Sequence, residues 1–229
     1  MTKQLEVLFS GCSWGCVFYI GCIRALYEIT DYNHCKIIST SSGCIAAISF
    51  LLNKDISFIT KLYKKMSLKC RKNVTPIGKM SGWLKEILTK LIDDDKAAIF
   101  LSNRLTVVYT DFPRMKSIYI TKFNNKEHLI RICLASCFIP FYFTELIVLN
   151  KLSIGIDAGF INKYATLSES TICFGVDNSL KYNTKLDIQN SIKISKFIPM
   201  NNLEQQKAIN NGYYITNNFF KKGIHSSVN

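Results

Sequence analysis

The chain predicts a three-layer α/β/α domain with a central, mostly parallel sheet, and three observations carry that prediction. Apolar β-rich runs alternate with helical ones, as where "QLEVLF" is followed by "GCVFYIGCIRALYEI". The first two strand-to-helix junctions are tight Ser/Gly turns, "SGCSWG" and "STSSGC". The composition, 48% hydrophobic and 20% charged, is that of a chain with a packed interior. The 229 residues contain no linker-like stretch and no internal repeat, so one domain over 1–229 is expected. Roughly the last eight residues are expected to be a flexible tail.

Gln4 to Phe9 alternates and runs into Ser10-Gly11, the pattern of a strand entering a turn, and residues 15–29 follow as a buried helix. Lys36 to Ser39 is a short β-branched strand, and Gly43 to Leu52, built on Cys44, Ile45, Ala46, Ala47 and Ile48, a second buried helix. A helical stretch over about 55–66 precedes a basic loop containing Pro76, and Ser81 can cap a helix running to Asp93. The run Asp93-Asp94-Asp95 opposes the macrodipole at a helix C-terminus, so this helix stops a turn early or a new one starts there. "RLTVVYTD" and "KSIYITKF" are strands parted by Phe112-Pro113, and "NKEHLIRICLASCF" is an amphipathic helix ending before Pro140. "LIVLNKLSIGIDAGF" is a hairpin turning near Asn150, "STICFGVD" a further strand, and residues from about 202 to 221 a last helix.

Nine cysteines, an odd number, stand mostly in apolar runs such as "RICLASCFI", where free thiols act as small buried hydrophobes; this indicates a reducing, intracellular setting. Cys12/Cys16 and Cys133/Cys137 are each four apart, but there is no CxxC and no histidine pair, so no metal site is expected. Residues 6–23 are apolar, yet Gly11, Ser13, Gly15 and Gly21 interrupt them and Arg24 follows at once, which suits neither a signal peptide nor a membrane span. A soluble or peripherally attached protein is expected. The net charge of +13 is concentrated in 61–90, where Lys61, Lys64, Lys65, Lys69, Arg71, Lys72, Lys79, Lys85 and Lys90 face only Glu86. A solvated helix face accounts for such a run. Among functional partners an anionic membrane surface is favoured over nucleic acid, because Trp83, Leu84, Ile87 and Leu88 stand beside the lysines as on an interfacial helix.

Gly11-Cys12-Ser13-Trp14-Gly15 spells GxSxG, the pattern of a serine nucleophile on a strand-to-helix turn, and Ser39-Thr40-Ser41-Ser42-Gly43 repeats it with serine for the first glycine. An ordinary glycine turn and a serine helix cap account for either pentapeptide taken singly. The two together assign different roles. In such sheet enzymes one oxyanion N–H follows the nucleophile and another comes from a loop earlier in the chain. Ser13 has no earlier loop. Ser41 does, with Gly11, Cys12 and Ser13 as its oxyanion donors and Ser39, Ser42 and Gly43 completing the elbow.

For the base, the order Ser41, Asp157, His225 fits a triad, but His225 lies in the terminal "GIHSSVN", where a catalytic imidazole is poorly held. Asp157, at a strand's end in "GIDAG", is the better candidate, although an Asp in that setting is also an ordinary turn residue.

These residues resemble the patatin-like phospholipases over nearly the whole chain. "FSGCSWGCVFYIGCIRAL" is similar to the family's glycine-rich oxyanion block, nearest in wording to the adipose triglyceride lipase and adiponutrin branch; "STSSGC" resembles its nucleophile elbow, "LASCFIPFYF" a segment before its aspartate, and "IDAGF" the aspartate motif itself. The resemblance implies an α/β/α sandwich that hydrolyses acyl esters of lipids, phospholipid or glyceride, through a Ser/Asp dyad and an acyl-enzyme. Ser41 would be the nucleophile, Asp157 the general base, and Gly11, Cys12 and Ser13 the oxyanion donors. No cofactor, calcium included, is implied, and no nucleic acid partner is expected. Ser39, Ser13, Cys16 and Ala158 stand where the family has glycine, so a weak or inactive member that binds anionic lipid is the alternative.

Overall fold

The computed structural model describes residues 5–73, 76–150, 153–160, 171–175, 185–187 and 198–225. The chain starts with β1 (Leu5–Phe9), a 3-10 turn over Ser13–Cys16 and α1 (Val17–Ile29), then β2 (Cys35–Thr40) and α2 (Gly43–Leu51). Three helices follow, α3 (Ile56–Lys72), α4 (Met80–Leu91) and α5 (Asp95–Leu101). Next come β3 (Leu105–Phe112), β4 (Lys116–Ile120), α6 (Lys126–Cys137), β5 (Ile147–Asn150) and β6 (Ser153–Ile156). The chain continues through β7 (Ile172–Gly175), β8 (Lys185–Asp187) and α7 (Asn202–His225).

Among the described residues the strands form one sheet in the order β5-β6-β3-β2-β1-β7-β8, with β4 also paired to β3. The pairs β1 with β2, β1 with β7, β2 with β3 and β7 with β8 are parallel. Strand periodicity sends alternate residues to opposite faces. Val7, Phe9, Ile37, Val107, Tyr109 and Phe174 join the large core with the helices. Leu8, Ile38, Val108 and Cys173 form a smaller buried cluster with Ala158 on the other face. A sheet buried on both faces is what a layered α/β/α fold requires, and it explains strands that are apolar throughout.

Three expectations shift. The third helix runs to Lys72 instead of ending near residue 66; Asp55 caps its start by accepting from Phe58 N–H at 2.9 Å, and Lys69, Arg71 and Lys72 suit its negative end. Ser81 does not cap α4: the helix begins at Met80, and Ser81 is buried in its first turn. The triple aspartate does end one helix and begin another, with Asp94 accepting from Ala97 N–H at 2.8 Å. The last helix reaches His225 and so takes in residues 222–225 of the stretch expected as a tail; the His225 side chain lies outside the described residues.

The sheet register places the site. β4 pairs with β3 over Val107 to Asp111, while β2 pairs over Leu105 to Val108 and β6 over Thr110 to Phe112. Both β2 and β6 therefore use the edge opposite β4, end to end, β2 parallel and β6 antiparallel to β3. β2 stops with Thr40 opposite Val108, and β6 stops with Ile156 opposite Thr110. The next residue of each strand, Ser41 and Asp157, thus arrives level with Tyr109 from opposite directions.

Candidate active site

Ser41 sits on the turn between β2 and α2 with φ of 50°, the left-handed conformation that non-glycine residues rarely adopt. Ser13 has the same strained backbone, φ 52°, so turn geometry alone does not separate the two serines. Their neighbours do. The Ser41 hydroxyl is one of the groups that act on the Asp157 carboxyl.

Asp157 is 8% exposed. Its Oδ1 accepts from Gly159 N–H at 2.7 Å, while Oδ2 is buried with no hydrogen-bond partner among the described residues. Burial pushes the carboxyl up to about 6, against the pull of the Ser41 hydroxyl and the Gly159 N–H, and with a smaller push from Cys44. Its backbone is fixed as well, Asp157 N–H donating to Phe138 O at 2.8 Å just beyond α6. A carboxyl held near neutrality can take a proton and return it within one reaction cycle.

The glycine turn lies directly on Ser41. A Cβ at Gly11 would fall 2.7 Å from Ser41 Cβ, and one at Gly43 would fall 2.1 Å from Phe9 O, so only glycine allows β1, β2 and α2 to meet here. Ser39, the serine in place of the elbow's first glycine, is accommodated inside β2, where its hydroxyl points to Cys44 Sγ at 3.4 Å. Ser42 occupies the N-cap position of α2 without capping it. Its hydroxyl instead accepts from Cys12 N–H at 3.0 Å, and Thr40 Oγ1 accepts from Gly11 N–H at 2.9 Å. Two of the three N–H groups expected to serve an oxyanion are thus engaged by side-chain hydroxyls of the elbow strand and turn. Burial pushes the Cys12 thiol up to about 11, which leaves it protonated at neutral pH.

Ser136 was not singled out from the sequence. It is fully buried on α6, accepts from Ser41 N–H at 2.8 Å and donates to Val108 O at 2.5 Å. It therefore pins the strained turn to both helix and sheet. The signal for it was a lone serine on the apolar face of "RICLASCF", one helical turn after Cys133.

Beside Ser41 opens a cavity of about 630 Å³, mouth included, whose lining includes Ser13, Trp14, Ile45, Tyr63, Leu84 and Tyr142. Its walls are tied to the glycine turn: Tyr63 OH donates to Trp14 O at 2.6 Å, and the Trp14 indole N–H donates to Tyr142 OH at 3.3 Å. Leu84, Ile87 and Leu88, expected on an interfacial face, are buried, because the apolar stripe of α4 packs into the core and lines this cavity. No three His, Cys, Asp or Glu side chains among the described residues converge as a metal ion would require.

Gly11→Ala is expected to fold but to lose at least about 10²-fold in kcat on any ester the protein cleaves, because the new methyl displaces Ser41 by a fraction of an ångström to an ångström. Steady-state kinetics beside a thermal melt checks this; full activity in a well-folded variant would show that the close approach is unimportant.

The patatin-like phospholipase family model matches residues 7–168. Human patatin-like phospholipase domain-containing protein 2 is 24% identical over 147 residues, 61% of this chain, which spans 29% of that relative's length. VipD from Legionella pneumophila superposes with a TM-score of 0.63 over 96% of this chain and 67% of its own, at 14% identity, and so shares the fold. With the matched segment running from within β1 through both Ser/Gly turns and past Asp157, the chain belongs to the patatin-like phospholipase family.

Proposed function

We propose that the protein is a lipid acyl hydrolase of phospholipase A or lysophospholipase type, working through Ser41 and Asp157. The observation that carries this reading is the end-to-end meeting of β2 and β6 on one edge of β3, which brings a strained serine that lines an apolar cavity level with a buried carboxylate raised to about 6. Ser41 Oγ attacks the ester carbonyl carbon while Asp157 accepts its proton. Collapse of the tetrahedral adduct re-forms the carbonyl and breaks the bond from its carbon to the alkoxy oxygen, and the leaving alcohol takes the proton from Asp157. Water, deprotonated by the same carboxylate, then releases the fatty acid and restores Ser41. The oxyanion is a charged acceptor and outcompetes the neutral hydroxyls of Thr40 and Ser42 for the N–H groups of Gly11 and Cys12, with Ser13 N–H as the third expected donor.

The same pair of hydroxyl contacts favours a second reading: a weakly active or inactive relative that binds anionic lipid, its oxyanion donors already satisfied. Neither reading requires a membrane-spanning segment, and no helix among the described residues is long and apolar enough to be one. The two are separated by incubating wild type and Ser41→Ala with a mixed lipid extract and analysing the products. Free fatty acid with matching lysolipid or diglyceride, formed only by the wild type, is expected. Silence from both proteins, with retained binding to liposomes, would establish the second reading.

A further inference from the structure

The residues 61–90 supply the charge for an anionic surface, but the apolar stripe of α4 is buried, which leaves open what turns the cavity mouth toward a lipid. Two loops meet at that mouth. Gly78 N–H donates to Tyr142 O at 3.1 Å, and Thr144 Oγ1 donates to Gly78 O at 3.2 Å, so 76–79 and 140–146 form one rim. Tyr142 and Phe143 within them, and Met80 and Ile139 immediately beside them, line the Ser41 cavity. Their outward residues are apolar as well: Phe141 is 92% exposed, Leu146 61% and Ile77 59%.

Phe141 stands out among them. Its φ is 68°, a conformation that is unfavourable for a bulky side chain, and the result is an aromatic ring projecting almost wholly into solvent. A rim of this kind has an apolar tip and needs a charged flank to find its partner. Lys79 Nζ donates to Asn73 Oδ1 at 2.5 Å, joining the rim to the end of α3. From there Lys72, Lys69, Lys65, Lys64 and Lys61 border one shallow basin with Leu68. Glu86 pairs with Lys65, Lys69 and Lys90, whereas Lys64 and Lys72 have no ion pair among the described residues. Glu145, exposed between Thr144 and Leu146, is the acidic group on the rim itself.

We infer that Phe141, Ile77 and Leu146 form an interfacial docking rim that inserts into an anionic phospholipid bilayer, with the α3 lysines and Lys79 on the headgroups, so that the cavity opens directly onto the membrane. The choice of a bilayer follows from charge complementarity and from the rim's continuity with the acyl cavity, and it rests on the reading of that cavity as a lipid site. Apolar side chains on the rim enter the acyl region, where a fully buried aromatic ring contributes far more than any single surface lysine. Nucleic acid would use the lysines and have no need of the ring.

The test uses sedimentation with phosphatidylcholine vesicles containing or lacking phosphatidylserine. Phe141→Asn removes the ring while suiting the left-handed backbone, so the fold is preserved, and Phe141→Trp is the conservative control. Binding of the wild type to the anionic vesicles is expected, with at least about a tenfold loss of affinity in Phe141→Asn and little loss in Phe141→Trp. Lys64→Glu/Lys72→Glu is expected to abolish the preference for phosphatidylserine. Unchanged binding by Phe141→Asn, with loss only in the lysine variant, would overturn the rim in favour of simple basic adsorption. Salt-dependent capture of oligonucleotides without vesicle binding would overturn it in favour of nucleic acid. Ser41→Ala should bind vesicles as the wild type does. A protein that binds through Phe141 but hydrolyses nothing supports the rim and ends the hydrolytic reading, whereas hydrolysis of soluble esters with Phe141-independent vesicle binding does the reverse.

Discussion

Replacing Ser41 by alanine is expected to lower lipid ester hydrolysis by about 10⁴-fold or more and to abolish covalent labelling by a fluorophosphonate, while Ser13→Ala keeps both within about tenfold of the wild type. The two serines make a controlled comparison, since both have left-handed backbones and both line the cavity. The carboxyl of Asp157 acts beside Ser41. Ser41 is also held by a buried hydroxyl from another element, Ser136 on α6. Loss of labelling with Ser13→Ala and its retention with Ser41→Ala would reverse the roles of the two turns. Retention in both would remove serine catalysis altogether. The fold should survive Ser41→Ala, because Ser41 contributes little to the core and alanine keeps its Cβ contact with Gly11.

Much of this arrangement could be foreseen from local pattern, and the remainder could not, for reasons that differ residue by residue. The strands before each Ser/Gly turn were legible because apolar runs ending in small residues have few other solutions. Asp157 was legible because an aspartate between two glycines at a strand's end is exposed to whatever lies across the sheet. What joins it to Ser41 is the antiparallel entry of β6 onto the edge that β2 leaves, and strand order is a property of long-range pairing that no local pattern encodes. Ser136 was missed for the same reason: its partners, Ser41 N–H and Val108 O, are contributed by the turn after β2 and by β3. The burial of Leu84, Ile87 and Leu88 shows the opposite failure, where amphipathicity was legible but not its destination. A helix with one apolar and one basic face serves a core as well as a membrane, and only packing decides between them.

Asp157→Asn should separate catalysis from stability. Activity is expected to fall by about 10³-fold or more, since the amide cannot accept the serine proton. The wild type should show a rate that rises with pH through a limb near 6, where burial places the Asp157 carboxyl, and the residual rate of the variant should lack that limb. Stability should move the other way. A carboxyl raised from 3.8 to about 6 binds its proton more tightly in the folded state, so the folded protein loses ground as pH climbs from the lower value through the upper one. The loss is complete above that window and amounts to about 3 kcal/mol. An asparagine has no charge to keep buried: its Oδ1 can still accept from Gly159, and Nδ2 takes the place of the buried Oδ2. Urea unfolding should therefore find the variant more stable than the wild type at about pH 8 and nearly equal to it below about pH 4. Equal stability at both values would mean that the carboxyl is not held against its ionisation, and the case for Asp157 as a base tuned to neutral pH would fail with it. A stable, inactive variant would instead show that the carboxylate at Asp157 is kept at a cost in stability for the sake of catalysis.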